Sequence, residues 1–282
     1  MSISVLANVT SLTSQRHLTT AQMSLEQSLE RLSSGLRINH ASDDAAGLGI
    51  SENLKADIRS LAQASRNAND GISMTQVAEG AMNEMQGIVG RMRELAVQAS
   101  NGTLGDTERG YIQTEFTELQ DEMGRLAEVT EFNGSKLLNG DAASGLNIQI
   151  GIHATSSDRL SMSIARLTAS TLGNDASGLF ISAQSLSTAS AARTSLDVFD
   201  AAITSLSSAR AKLGAVQSRM SVALTNLASA QENLSAANSR IRDVDFAAET
   251  ANMTRYQILT QAGVAVLGQA NQLPALALSL LK

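Results

Sequence analysis

Cysteine is absent from the chain, and with it any disulfide framework, thiol nucleophile or thiolate metal site. Tryptophan is absent too, and aromatic residues make up only 2% of the 282 residues. Compact globular cores lean on aromatic rings for buried area. Here Ala, Leu, Met, Ile and Val must fill the interior, which favours thin layers of helix on helix. Proline occurs once, far below its usual share of about 5%. Long uninterrupted helices are therefore permitted. Basic residues are in deficit, with 21 Lys and Arg against 27 Asp and Glu and a net charge of −6. That balance lacks the basic footprint of a nucleic-acid binder, so no nucleic-acid partner is expected. No apolar run reaches about 18 residues, so membrane insertion is not expected either. Residues 1–20 lack the charged start and apolar core of a cleavable signal peptide.

What the chain does have is heptad periodicity. Leu18, Leu25 and Leu32 share a column seven residues apart and predict a first amphipathic helix, ending at Ser33-Ser34-Gly35. A second helix is expected from about Ser42 to Asp44, where the acidic pair Asp43-Asp44 can cap free amides. Its two columns are Leu61, Ala68, Thr75, Met82, Val89, Ala96 and Ala64, Gly71, Ala78, Met85, Met92, Ala99. It stops at Asn101-Gly102. Ile112, Phe116, Leu119, Met123 and Leu126 then predict an antiparallel partner helix.

Two Asn-Gly pairs in "FNGSKLLNG" (residues 132–140) mark turns. Leu146, Ile148, Ile150 and Ile152, followed by Leu160, Met162 and Ile164, alternate with polar residues and predict a β-hairpin at about 146–165. No other strand is expected. Residues 168–192 read as a connector passing into helix. Phe199, Leu206, Leu213, Met220, Leu227, Leu234 and Ile241 are seven apart, beside a small column from Ala202 to Ala237. Large beside small predicts close helix approach in a left-handed supercoil. A last helix carries Leu259, Val266, Leu273 and Leu280, with Pro274 expected to interrupt or kink it. The fold class is therefore mainly α: a long antiparallel helix bundle or coiled coil with a small β-hairpin and paired terminal helices. Terminal helices with one apolar seam must bury it against each other or against copies of the same chain. Leu18, Leu25, Leu32, Leu259, Val266, Leu273 and Leu280 are the expected polymerisation seam.

Catalytic chemistry finds little support. His17, His40 and His153 are scattered, and none has a second ligand at metal spacing. Asp43-Asp44 could be a carboxylate pair for acid–base work, but helix capping explains it better. "GLGIS" lies inside a helical pattern and lacks the lysine of a nucleotide site. The methionines sit in helix seams and read as packing. No catalytic residue, metal or cofactor is expected. A membrane-active amphipathic toxin would use similar terminal helices, but the polar faces here carry Ser, Thr and Gln rather than Lys. A self-associating structural protein is the stronger reading.

The stretch "LSSGLRINHASDDAAGLGISE" (residues 32–52) resembles the motif after the first helix of bacterial flagellins. "RMRELAVQASNGT", "EFNGSKLLNG", "LGAVQSRM" and "ANQLPALALSLLK" resemble flagellin in the same order, over residues 1–170 and 190–282. The large variable outer insert of many flagellins is missing, so the chain resembles a short form with core domains only. The resemblance implies a subunit that polymerises head-to-tail into the flagellar filament used for motility. It implies an inner core from residues 1–43 and 239–282, in which residues 1–32 and about 246–282 pair around the filament channel. An outer rod would comprise residues 44–190, with the hairpin, and 191–238. Gly35, Asp43 and Asp44 would form an inter-shell linker.

The implied partners are many copies of the chain, the cap, the hook-junction proteins, an export chaperone and the type III export apparatus. Host innate immune receptors would join them. The residues matching the Toll-like receptor site are Arg91, Leu95 and Glu115, with Arg91 and Leu95 expected on one helical face. A leucine-rich end read by the chaperone and cytosolic sensors would be Leu278, Leu280 and Leu281. The location would be outside the cell, in a naked, sheathed or periplasmic filament. The alternative within this architecture is a hook–filament junction protein. Those often carry a "DDPA"-like motif where this chain has "DDAAGL".

Overall fold

A computed structural model describes residues 8–173 and 180–279, with backbone alone beyond residue 272. Five helices carry the chain: α1 (Val9–Ser34), α2 (Ala45–Ala99), α3 (Asp106–Val129), α4 (Ala189–Arg242) and α5 (Phe246–Ser279). The chain divides into two compact units. One comprises Met1–Ile58 with Glu232–Lys282, the other Arg59–Gln231. Both boundaries fall inside helices, one in α2 and one in α4.

The second unit holds the main core. Phe199, Leu206, Leu213 and Met220 are fully buried, as the periodicity predicts. They meet Met82, Met85, Val89 and Met92 of α2 and Phe116 and Met123 of α3. Seven of the ten methionines are buried in this unit, at residues 74, 82, 85, 92, 123, 162 and 220. Unbranched thioether chains fill the irregular gaps that aromatic rings would otherwise occupy.

The expected hairpin is β3 (Leu146–Gln149) with β4 (Arg159–Met162), antiparallel, in register Leu146 to Met162 through Gln149 to Arg159. Its strands are shorter than the apolar alternation. Asp158 gathers the loop instead: its carbonyl accepts the N–H groups of Ile150 and Gly151, and its carboxylate accepts the Thr155 hydroxyl and the His153 N–H. The hairpin seats on α2 at Gly71. A methyl group there would lie 2.6 Å from Ile148 Cδ1 and 2.7 Å from Met220 Sδ.

A second, smaller hairpin pairs β1 (Glu131–Phe132) with β2 (Ser135–Lys136). It turns on Asn133 and Gly134 at φ 50° and 76°. Asn-Gly with both residues in the left-handed region is the favoured two-residue hairpin turn. The strands are too short to show an alternation, so only the turn was visible.

Described residues after β4, on either side of 174–179, pack more closely than their composition implies. Leu172, Ile181 and Leu186 are buried. Gln120 Nε2 donates to the Ile181 carbonyl (2.6 Å), and Gln113 Oε1 accepts the Leu186 N–H (2.5 Å). Two glutamines seven residues apart share one face of α3 and staple the connector to it.

Arg109 caps the turn between α2 and α3. Its guanidinium donates to the carbonyls of Ala99 and Asn101, both at 3.1 Å, and to Asp106 at 3.3 Å. It is only 8% exposed. The end of α2 leaves carbonyls without intrahelical partners, and Arg109 satisfies two carbonyls at this turn. Arg109→Ala should destabilise the second unit by about 2–3 kcal/mol. Denaturant unfolding followed by circular dichroism would check this, and a loss below about 0.5 kcal/mol would contradict it.

Candidate functional site

The surface of interest lies on the first unit, where α1 and α5 pair antiparallel. Asn8 caps α1 by accepting the Ser11 N–H (3.1 Å), and its Nδ2 donates to the Ala270 carbonyl (2.9 Å). Ser11 Oγ donates to Asn271 Oδ1 (2.8 Å). At the other end Arg31 faces Glu249 at 3.9 Å. The inward column of α1 runs Ser11, Ser14, Leu18, Ala21, Leu25, Ser28 and Leu32, all buried or half-buried. On α5 the corresponding positions include Tyr256, Thr260, Gly263 and Ala270. Small and hydroxylic residues on both sides let the backbones approach.

The structure thus separates the expected seam residues. Leu18, Leu25 and Leu32 are half-buried in the pairing of α1 with α5. Leu259 and Val266 lie on the flank of α5 and remain 49% and 52% exposed. Only the backbone is described at Leu273, and Leu280 lies outside the described residues, as does Leu281. Pro274 does not end α5, whose backbone continues to Ser279. Leu18, Leu259 and Val266, with His17 and Tyr256, line an open cleft of about 460 Å³ along the pair. Val9, Leu12 and Met23 of α1 and Ile258 and Val264 of α5 add further exposed apolar area. An apolar surface of this extent marks an interaction site. The sequence pattern missed the split because its leucine columns are conspicuous, whereas the serine and glycine positions that make the close seam carry no hydropathy signal.

The linkers at the bases of α1 and α5 hold each other. Gly35 ends α1 at φ 72°, donating its N–H to the Arg31 carbonyl (2.9 Å). This is a left-handed cap that a side chain would strain. Leu36 and Asp243 form an antiparallel bridge. Arg37 N–H donates to the Arg242 carbonyl (2.6 Å), and Val244 N–H to the Gly35 carbonyl (3.0 Å). The Arg37 guanidinium donates to the Ile241 carbonyl (2.7 Å), placing a cation at the C-terminal end of α4.

The acidic pair divides its work. Asp44 Oδ1 accepts the Gly47 N–H (2.8 Å) and caps α2, as expected. Asp43 instead shapes the loop before the helix. One of its oxygens accepts the N–H groups of Asn39 (3.1 Å) and His40 (3.0 Å), and the other accepts Gln27 Nε2 (3.1 Å). Arg242 and the α5 cap Asp245, whose Oδ1 accepts the Ala247 and Ala248 N–H groups, were not singled out in the sequence. Their signal was the charge pattern of "RIRDVD" between two helical periodicities. Arg242 reaches Ser51 and pairs with Glu52 of α2.

The His40 N–H bond, foremost, holds the Asp43 carboxyl below its usual pKa. The Arg242 guanidinium does the same for Glu52. A depressed carboxyl stabilises the fold above its unfolded pKa, near 4. That contribution disappears as pH falls through the lower folded value. Asp43→Asn should therefore be less stable than the native chain at pH 7, and the gap should close below about pH 4. Thermal melts at pH 7 and pH 3 would check it. A gap that persists at pH 3 would contradict the assignment.

In the second unit, Arg91 sends two guanidinium nitrogens to one oxygen of Glu115, at 2.8 and 2.7 Å, and a third to Glu94 at 3.0 Å. Glu115, then Glu94, raise the Arg91 pKa. Leu95 is 1% exposed and belongs to the core. Arg91 and Leu95, four residues apart, stand on one side of α2, with Arg91 at its exposed edge and Leu95 at its buried edge. Among the described residues no cluster of three metal-ligating side chains occurs. No described helix is long and apolar enough to cross a membrane.

End helices that leave apolar area uncovered, beside charged side chains engaged in caps and staples, define a self-assembling helical structural protein. Two family descriptions match the chain: the bacterial flagellin N-terminal helical region over residues 5–143 and the C-terminal helical region over residues 196–281. The chain belongs to the bacterial flagellin family. It is 43% identical to the flagellin of Bacillus subtilis over 301 aligned positions, covering 98% of each chain. It is 41% identical to that of Halalkalibacterium halodurans, covering 91% of this chain and 92% of the relative. Polar flagellin F of Vibrio parahaemolyticus is 37% identical over 376 aligned positions, covering 100% of both. With 376 positions against 282 residues, at least 94 positions of that relative face a gap here. A solved structure described as a flagellar hook-associated protein from Vibrio parahaemolyticus shares the fold at a TM-score of 0.59 and 14% identity, covering 71% of this chain and all of that one. The family is structural rather than enzymatic. The chain is a structural subunit of the flagellar filament, an extracellular polymer of many copies.

Proposed function

We propose that copies of this chain polymerise head-to-tail through the apolar surface beside the α1–α5 pair, with Leu18, Leu259 and Val266 at its centre. The observation that carries the reading is the exposure of Leu259 and Val266 along the open cleft they share with Leu18. A heterologous contact that does not close generates an open helical polymer. Residues 1–43 and 239–282 form the inner core of that polymer. Residues 44–190 and 191–238 form the outer layer, and Gly35, Asp43 and Asp44 set the passage between them. Leu25 and Leu32 support the seam from inside the pair.

Export through the flagellar type III apparatus with a chaperone, and assembly between hook-junction proteins and a cap, follow from this role. So does a filament outside the cell, naked, sheathed or periplasmic. The test is seeded polymerisation followed by sedimentation. The chain should stay soluble below a critical concentration and sediment above it. Material that stays in the supernatant at every concentration would contradict the reading.

The Arg91–Glu115 pair is the surface part of the proposed receptor site, with Leu95 beneath it. Arg91→Ala or Glu115→Ala should lower activation of the flagellin-sensing Toll-like receptor by monomer about tenfold or more, since removing one partner of a charged pair leaves the other unpaired. Unchanged signalling from both variants, in a receptor reporter assay, would sink this assignment.

A further inference from the structure

The chain has ten methionines and no cysteine, so thioethers are its only sulfur. Seven of the ten are buried in the second unit. Met253 is half-buried in the pairing of α1 with α5. Met23 differs. It is 57% exposed, on the face of α1 turned away from α5. Leu12 lies three helical turns before it on the same face, and Val9 lies one turn before Leu12. Both are also exposed, at 63% and 66%. This outward face carries a soft, accessible sulfur and two aliphatic side chains, with the exposed Arg16 and Thr19 between them.

We propose that Met23 is a modification site at which a hydroperoxide oxidant switches off assembly. The inference rests on the polymer-subunit reading above. In the reaction the sulfur lone pair attacks one peroxide oxygen. The S–O bond forms as the O–O bond breaks, and the second oxygen leaves as water with hydrogen peroxide as the oxidant. The thioether is oxidised to a sulfoxide and the peroxide is reduced. No thiol competes for the oxidant, because the chain has none. The product places a strong hydrogen-bond acceptor on α1, which polymerisation dehydrates as part of the inner core proposed above. A buried polar group without a partner opposes that step. The isolated subunit is therefore the sensitive form, and neighbouring copies shield the sulfur once the face is covered.

The experiment treats the native monomer with hydrogen peroxide until about half of Met23 carries oxygen, as read by peptide mass spectrometry. Met23 should react before the seven buried methionines of the second unit. Seeded polymerisation of this mixture should deplete Met23 sulfoxide from the pelleted filaments about tenfold relative to the supernatant. Met23→Leu should show the same critical concentration before and after peroxide treatment, whatever its untreated value. Equal sulfoxide in pellet and supernatant would overturn the proposal, and so would full peroxide sensitivity in Met23→Leu. An untreated native chain that forms no filaments would overturn the polymer-subunit reading itself, and this inference with it. The pellet-to-supernatant ratio uses only native chain, so it decides the matter even if the variant folds poorly.

Discussion

Phe116→Ala should cost the second unit about 3–5 kcal/mol. Phe116 is fully buried on α3 and meets Phe199 of α4 edge-on, with ring centroids 5.7 Å apart and planes at 62°. It is the one ring–ring contact among the described residues. In a chain with five phenylalanines and no tryptophan, little else of that volume could fill the space between α3 and α4. The alanine leaves a cavity and loses the edge-on contact, worth about 1 kcal/mol beyond area burial. The methionines around it can shift to fill part of the void, which pulls the cost toward the lower end of the range. Denaturant unfolding at neutral pH would show the loss as a lower midpoint at unchanged slope. A loss below about 1 kcal/mol would mean that this pair is not central to the core.

Leu259→Asp together with Val266→Asp should leave the monomer folded and block its polymerisation. Both side chains are about half exposed on α5, so the single chain buries little when they become charged. Surface changes of this kind fall within about 0.5 kcal/mol. In the polymer the same positions must be dehydrated. Two carboxylates without partners in a covered apolar cleft should raise the critical concentration about 100-fold or more. Circular dichroism should show native helix content while sedimentation shows no polymer. Filaments at the native critical concentration would mean that this flank faces solvent in the assembly.

The helices were legible because their signal repeats. The column from Phe199 to Leu227 is buried in the order the heptads dictate, and one proline leaves nothing to stop α2 or α4. The β3–β4 hairpin was legible from alternation, but its length was not. Asp158 closes the loop with side-chain and backbone acceptors, and no periodicity encodes that. The β1–β2 hairpin is two residues per strand and shows only its turn. The connector after β4 is held by Gln113 and Gln120, polar residues that hydropathy places on a solvent face.

The candidate site was legible in outline and not in detail. Gly35 and Asp44 do what their residue types and positions imply. Asp43 supports the loop instead of the helix end, because two backbone N–H groups before the helix lie within its reach. Leu259 and Val266 stand on a flank, while Gly263 and Ala270 make the intimate seam. Leucine columns reveal where apolar area is, but the close approach between helices is set by the residues with least side chain.

The most direct test of the central claim is negative-stain electron microscopy of the full chain beside a version lacking residues 247–282, each seeded at matched concentration. Long filaments from the full chain and none from the shortened one would establish a polymer held by its terminal helices. Filaments of equal length from both would contradict the account.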